Sequence, residues 1–335
     1  MSKISILGSG SWGTALAVNF GSNGHNVLLW SKFEDEIRDI EKNGENKQYL
    51  PGIKIPESVG FTADISLCAD ADVVIMASPS KFIRGVAKEF STHVKDGQKI
   101  VCVSKGFDEN GHKRLSEVIK EEIPNASVCA MSGPSHAEEV SRFLPTTNVI
   151  ACEDIEVAKE VANMLISSNF RLYTTDDVTG VELGGALKNI IALCAGISDG
   201  YGFGDNTKAA LMTRGMAEII RLGVAMGAKT ETFTGLSGFG DLIVTCTSMH
   251  SRNRRAGILI GKGKSAKEAQ EEVKMVVEGI YATNSAYILS KKYNVEMPIV
   301  KEAYMLLSGD TTVDKCVENL MGRPMKNERE KYIKI

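Results

Sequence analysis

An α/β fold, a doubly wound and mostly parallel sheet followed by an all-helical C-terminal domain, is predicted by three features of the sequence. Short apolar runs alternate with amphipathic stretches through the first half, the alternation stops after Thr175, and glycines cluster between the elements. The strand candidates are Lys3–Leu7, Asn26–Trp30, Val73–Met76, Lys99–Val103, Ser127–Met131 and Asn148–Ala151, bounded by Gly, Pro, Asp or Ser. Most are nearly continuous apolar runs, the pattern of strands covered by helices on both faces. Thr14–Asn23, Lys81–Phe90 and Arg114–Ile123 carry helical spacing between them. Beyond Thr175 the helical candidates are Val178–Ile197, Asn206–Met226, Ala266–Glu271, Ile280–Lys291 and Ile299–Leu307, and strand candidates become scarce. The chain's 335 residues exceed what one core usually serves. The boundary falls near 175–180, giving residues 1–177 and 178–335 as two domains. Met325–Lys334 reads as a charged, frayed tail.

Composition narrows the function classes. Lys and Arg number 39 against 42 Asp and Glu, so a net charge of −3 supplies no basic field for nucleic acid or an anionic membrane. The seven cysteines are scattered and form no C-x-x-C pair, which argues against a disulfide framework or a zinc site and for a reducing, cytoplasmic setting. No apolar run approaches the roughly 18–20 residues that span a bilayer. The N-terminus enters a strand without the layout of a signal peptide.

Gly8-Ser9-Gly10-Ser11-Trp12-Gly13 follows the first strand and opens a helix. Gly8 permits the tight turn, Gly10 lets a pyrophosphate approach the backbone, and Gly13 lets helix and strand pack closely. Free N–H groups at the helix start, near Thr14, then meet the anion. The order strand, glycine loop, helix, strand at the N-terminus predicts dinucleotide binding, hence a Rossmann-type domain; a tight turn without a ligand is the plainer alternative. At the end of the second strand an acidic residue would bind the ribose 2′-OH, but the sequence reads Trp30-Ser31-Lys32-Phe33. Without that carboxylate a 2′-phosphate is not repelled, and Lys32 either pairs with it or is an ordinary solvated lysine. NADPH is therefore accepted, and NADH is not excluded. Ser104-Lys105-Gly106 and Gly133-Pro134-Ser135-His136-Ala137-Glu138 each follow a strand's C-terminal end, where ligands of open α/β sheets lie. Ser135 with Glu138 also reads as a capping box.

In the second domain, Gly184 and Gly185 sit inside a helix, at about 1 kcal/mol each relative to alanine, which close approach of another group would offset. Both share the face of Lys188, whose charge on an apolar face needs water or a partner. Gly235, Gly238 and Gly240 precede Asp241, with Thr245 on the same helical face. Helical geometry alone favours Asp241 as a cap. Ser251-Arg252-Asn253-Arg254-Arg255 is either a solvated basic face or a phosphate site at a loop–helix junction. Gly200–Gly204 and Gly235–Gly240 read equally as hinges or fixed turns.

These segments resemble one family, the bacterial NAD(P)-dependent glycerol-3-phosphate dehydrogenases. The resemblance is carried by G-S-G-S-W-G-T-A (8–15), Y-L-P-G (49–52), S-K-G (104–106), S-G-P-S-H-A-E-E-V (132–140), E-L-G-G-A-L-K-N-I-I-A (182–192), G-L-S-G-F-G-D-L (235–242), S-R-N-R (251–254) and V-E-G (277–279), in family order over nearly the whole chain. It implies reversible reduction of dihydroxyacetone phosphate to sn-glycerol 3-phosphate with NADPH or NADH, feeding glycerophospholipid synthesis, with no metal and with room for a homodimer. It implies Lys188 as proton donor and acceptor, and substrate contacts from Lys105, Gly133, Ser135, Lys188, Asp241, Ser251, Arg252 and Asn253. It implies cofactor contacts from Ser11, Trp12, Lys32, Phe33, Tyr49, Lys105, Ala137, Arg252, Val276 and Glu278, beside Gly8, Gly10 and Gly13 of the loop. Positions 31–33 depart from the family's frequent arginine-containing form.

The chemistry fits the residue types. A lysine can exchange the alcohol proton if its pKa falls towards about 7–8, and burial or the positive Lys105 nearby would lower it. Lys105, Asn189 and Thr245 are expected to orient the substrate oxygen and Lys188, and Asp241 the ammonium, although too strong a pairing with Asp241 would raise the lysine's pKa again. The competing readings are a ketopantoate reductase or β-hydroxyacid dehydrogenase, whose substrates carry a carboxylate, and a catalytically silent dinucleotide sensor.

Overall fold

The computed structural model describes residues 1–325, 327 and 328; the expected tail, Met325–Lys334, lies mostly outside the described residues. The chain forms two units, Met1–Asp108 with Lys113–Val178, and Glu109–His112 with the chain from Thr179 onward. The first unit runs β1 (Lys3–Leu7), α1 (Ser11–Ser22), β2 (Asn26–Trp30), α2 (Glu34–Asn43), β3 (Val59–Thr62), β4 (Val73–Met76), α3 (Ile83–Phe90), β5 (Lys99–Cys102), α4 (Leu115–Glu122), β6 (Ser127–Ser132), α5 (Ala137–Val140), β7 (Thr146–Cys152), α6 (Ile155–Leu165) and β8 (Phe170–Thr175).

The strands form one sheet in the order β3-β2-β1-β4-β5-β6-β7-β8. The first six are parallel and follow the 3-2-1-4-5-6 order of dinucleotide-binding sheets, in which the order reverses between β1 and β4. β7 runs antiparallel to β6, and β8 returns parallel to β7. Alternate residues of each strand serve opposite faces. Ile4, Ile6, Val73 and Ile75 pack with Leu16 and Phe20 of α1 and with Val161 and Leu165 of α6. Leu7, Val74 and Met76 pack on the other face with Ile83 and Phe90 of α3 and with Val118 and Ile119 of α4. This two-sided burial is why the strands read as apolar runs. β3 and β8 escape the sequence pattern because they are sheet edges: Gly60 interrupts the one, and Arg171 and Tyr173 face water on the other.

The second unit is helical: α7 (Val178–Tyr201), α8 (Asp205–Ala225), α9 (Thr230–Thr234), α10 (Asp241–Thr247), α11 (Arg252–Gly261), α12 (Ala266–Val273), α13 (Glu278–Lys292), α14 (Pro298–Leu307) and α15 (Val313–Met321). Leu193 and Ile197 of α7 pack with Ala256 and Ile260 of α11 and with Ala269 of α12. The α7–α11 approach is so close that a Cβ on Gly196 or Gly200 would strike the α11 backbone, and one on Gly257 or Gly261 the α7 backbone. Gly200 is therefore part of a fixed contact, and Gly202, at φ +98°, forms the turn that ends α7. Helices α2, rich in charge, α6, α9 and α15 have no counterpart among the sequence expectations, and α5, α10 and α11 are anticipated only as helix starts near Ser135, Asp241 and Ser251.

The expectation about apolar runs needs correction. α7 spans 24 residues and holds a window of mean hydropathy 1.4, enough by length and composition to cross a membrane. Glycines and the isolated Glu182 and Lys188 disguise this in the sequence. Most of that window is buried inside the protein, which is the setting of a core helix.

Candidate active site

In the first unit the glycine loop leaves β1 with Gly8 at φ +128°, its N–H bonded to the Trp30 carbonyl at 3.0 Å. A Cβ at Gly8 would lie 2.7 Å from the Ser78 nitrogen, just past β4, so the loop sits where the strand order reverses. A Cβ at Gly13 would collide with the Gly8 carbonyl, whereas Gly10 has nothing within 4 Å of its Cβ position. The two tight glycines shape a cradle, and the third opens it. α1 starts at Ser11 rather than Thr14, N-capped by Gly10, with no side-chain cap and no acid in its first turn. Its positive end is thus left for an anion, as a pyrophosphate requires.

Buried Asn46, which the sequence reading did not single out, holds the cradle's shape. Its Nδ2 donates to the Ser9 carbonyl at 2.7 Å and to Thr14 Oγ1 at 2.9 Å, and its Oδ1 accepts the Tyr49 N–H at 3.1 Å. The Y-L-P-G segment is thereby tied to the loop, while Leu50, Ile53 and Ala137 pack with Ala15 and Val18 of α1, beside Trp12. Burial, with the Glu36 carboxylate adding to it, raises the pKa of the Tyr49 phenol. Lys32 and Phe33 are exposed, and Lys32 Nζ stands 3.5 Å from Glu89 of α3.

The structure brings Lys105, Gly133 and Ser135 together. The Gly133 carbonyl accepts from Lys105 Nζ at 3.0 Å and from Ser135 Oγ at 2.8 Å. Gly133 has φ +152°, and a Cβ there would lie 2.6 Å from Asn148 Oδ1, so no side chain fits. The capping-box expectation is corrected: α5 begins at Ala137 with His136 as N-cap, and the Ser135 hydroxyl turns back to Gly133.

In the second unit Lys188 is 5 % exposed and Asp241 1 %. The Lys188 ammonium donates to Asp241 Oδ1 and to Thr245 Oγ1, the latter at 2.6 Å. The Thr245 hydroxyl in turn donates to the Asp241 carbonyl at 2.6 Å, one turn earlier on α10. A buried charge must be paired to persist, and this pair meets that condition. The cap expectation for Asp241 is corrected: Gly240 is the N-cap and makes no side-chain cap bond, and Asp241 is the first helical residue, facing the lysine. Gly184 of α7 finds its reason in the same place. A Cβ at Gly184 would lie 2.5 Å from the Ser237 carbonyl oxygen, within the π-helical turn Leu236–Gly240 that delivers Asp241.

A second polar chain links α7, α11 and α13. Gly279 N–H donates to Asn253 Oδ1, Asn253 Nδ2 to Asn189 Oδ1, each at 2.9 Å, and Asn189 Nδ2 to the Gly185 carbonyl at 3.3 Å. Asn189 thus fastens α7 to α11. Ser251 caps α11 by accepting from Arg254 N–H at 3.2 Å, which sets Arg252 at the helix start. The Asn253–Gly279 bond brings that start to the beginning of α13, where Glu278 follows Val276 and Val277. Arg254 is withdrawn from the basic cluster, because its guanidinium holds Asp199 at 2.7 and 2.9 Å. Among the described residues no group of three or more His, Cys, Asp or Glu side chains is placed to hold a metal.

Residues 3–158 match the model of the NAD-dependent glycerol-3-phosphate dehydrogenase N-terminus, and residues 177–318 that of its C-terminus. A glycerol-3-phosphate dehydrogenase [NAD(P)+] of Agathobacter rectalis is 51 % identical over 329 residues, 98 % of each chain. One from Desulfitobacterium hafniense is 49 % identical over 335 residues, all of this chain and 95 % of the other. Among solved structures, the glycerol-3-phosphate dehydrogenase of Coxiella burnetii superimposes with a TM-score of 0.92 at 37 % identity, covering 96 % of this chain and 99 % of its own.

Proposed function

The chain belongs to the NAD-dependent glycerol-3-phosphate dehydrogenase family, and from that premise we propose that Lys188 is the general acid–base of its reaction. That reaction is the reversible, NAD(P)H-dependent reduction of dihydroxyacetone phosphate to sn-glycerol 3-phosphate. The observation that carries the assignment is the buried Lys188–Asp241–Thr245 arrangement, a positioned proton donor on a mostly apolar core helix.

A bound nicotinamide supplies the hydride. Lys188 supplies the proton from Nζ to the carbonyl oxygen of dihydroxyacetone phosphate, and in the reverse direction takes it from the alcohol as a free amine. Asp241 and Thr245 fix the direction in which Nζ points, and Asp241 balances its charge while it is loaded. Ser251, Arg252 and Asn253 are assigned to the substrate phosphate, since a helix start with an arginine suits a dianion. Lys105, Gly133, Ser135, Asn189 and Thr245 are assigned to the same substrate. Gly8, Gly10, Ser11, Trp12, Gly13, Lys32, Phe33, Tyr49, Lys105, Ala137, Arg252, Val276 and Glu278 are assigned to the dinucleotide. In this division residues 1–177 hold the cofactor and residues 178–335 carry the proton chemistry. We place the protein in the cytoplasm, outside the membrane, and leave a homodimer as the assembly that light scattering would detect.

The test is loss of absorbance at about 340 nm, the band of the reduced nicotinamide, with NADH and NADPH each supplied against dihydroxyacetone phosphate and against ketopantoate. Oxidation only with the phosphate ester supports the reading. Dinucleotide binding without oxidation would instead favour a sensor, and turnover of ketopantoate a carboxylate reductase.

A further inference from the structure

The strand end that discriminates between NAD and NADP is not bare. Ser31, the first residue after β2, is 3 % exposed, and its N–H bonds the Thr62 carbonyl at 3.2 Å. It adjoins Trp30, whose carbonyl anchors the glycine loop at Gly8, so it lies beside the cradle. The Ser31 hydroxyl accepts the Phe33 N–H at 3.3 Å and donates to Oε2 of Glu36. Glu36 is the third residue of α2 and folds back over the strand end. Its other oxygen, Oε1, is shielded from water and has no hydrogen-bond partner.

We propose that Glu36 reads the adenosine ribose: Oε1 accepts from the ribose hydroxyls and biases the enzyme towards NAD(H) over NADP(H). A carboxylate at the end of β2 is what this fold uses to bind a 2′-OH; here it arrives from the helix, six positions after Trp30, instead of from the strand. A glutamate at the third helical position often folds back to cap the helix start. Capping alone occupies Oε2 through Ser31 and leaves Oε1 buried and unsatisfied, which costs the carboxylate its solvation. A ribose hydroxyl removes that cost, whereas a 2′-phosphate would bring a second anion against it. Lys32 is the counterweight available to NADPH, but its side chain is 67 % exposed and already near Glu89, so solvent screens its pull.

The inference rests on the dinucleotide-binding reading of the first unit. It is tested on the full-length protein by calorimetric titration with NADH, NADPH, ADP-ribose and 2′-phospho-ADP-ribose, for the wild type, Glu36→Gln and Glu36→Ala, with thermal unfolding alongside. The wild type should bind NADH and ADP-ribose more tightly than their 2′-phosphorylated forms. In both variants the affinity for NADH should fall about ten-fold, as for the loss of a charged hydrogen bond, and that for NADPH should hold or rise. Equal weakening of all four ligands with a lowered melting temperature would reduce Glu36 to a helix cap and overturn the proposal. An unchanged NADH-to-NADPH ratio, or a wild type that prefers NADPH, would overturn it too. Failure of the wild type to bind any of the four would bring down the dinucleotide reading itself.

Discussion

Gly184 of α7 and Ser237 of the π-helical turn are in backbone contact: a methyl group on the first would lie 2.5 Å from the carbonyl oxygen of the second. Asp241 begins four residues after Ser237, and Lys188 lies one helical turn after Gly184. The contact therefore sets how far the carboxylate stands from the amine. Gly184→Ala would gain helix propensity yet force the two segments apart. It should lower stability by about 1–3 kcal/mol, as overpacking does, and lower kcat with KM for the cofactor unchanged. Urea unfolding and steady-state kinetics check both parts, and an alanine variant with full activity would show that the turn can move freely.

Lys188 and Asp241 should behave as a unit. Lys188→Met removes the proton donor, and a kcat about 10²–10⁴-fold lower is expected, with dinucleotide affinity unaltered. Each single change also strands a buried charge, at about 3–5 kcal/mol of stability. In the double variant Lys188→Met, Asp241→Asn the charge is gone from both sides, so stability should return while activity does not. Additive stability losses in that cycle would mean that the pair is not coupled, and near-wild-type turnover in Lys188→Met would remove the lysine from the chemistry.

How much of this was legible follows from what each residue needs. Strands buried on both faces must be apolar, and the glycine loop must be glycine at Gly8 and Gly13, so the sheet and the cradle could be read directly. Lys188 was visible because a lone charge stood on a smooth helical face. Asp241 reads both as a helix cap and as a group that orients the Lys188 ammonium, since the two look alike in one dimension, and the fold decides between them by bringing α7 to the π-helical turn. Asn46 and Glu36 were missed for a related reason: both act on backbone or hydroxyls distant from their own motif, and neither belongs to a glycine cluster or an apolar face. The apolar character of α7 is hidden because Lys188 and Glu182 interrupt its run, although in three dimensions Lys188 is paired with Asp241.

Arg252 opens α11, next to the cap Ser251. If it holds the substrate's phosphate, Arg252→Ala should raise KM for dihydroxyacetone phosphate at least ten-fold, the loss of one charge-assisted bond. Any cofactor contact would show separately in the NADH titration. Activity on glyceraldehyde or dihydroxyacetone, which lack the phosphate, should hardly change. An unaltered KM would take the arginine out of phosphate recognition.

Glu218 of α8 gives the pH prediction. It is 1 % exposed, and its two oxygens accept the N–H groups of Ile299 at 2.7 Å and Val300 at 3.1 Å, capping α14 from a distance. Burial pushes its pKa up to about 7 from 4.5, against the opposing pull of those N–H groups, Arg221 and Arg323. The folded state thus keeps a proton that the unfolded chain has already lost, and stability falls as pH rises wherever the folded state binds more protons. The contribution is fully present below pH 4.5 and is lost between pH 4.5 and 7, about 3 kcal/mol in all. Glu218→Gln cannot titrate and should lack this slope. Denaturant unfolding at intervals from pH 5 to 8 should show the wild type losing ground to Glu218→Gln up to pH 7 and holding level above it. A difference between the two that stays flat across the range would mean that the buried carboxyl is ionised throughout, held by the α14 N–H groups.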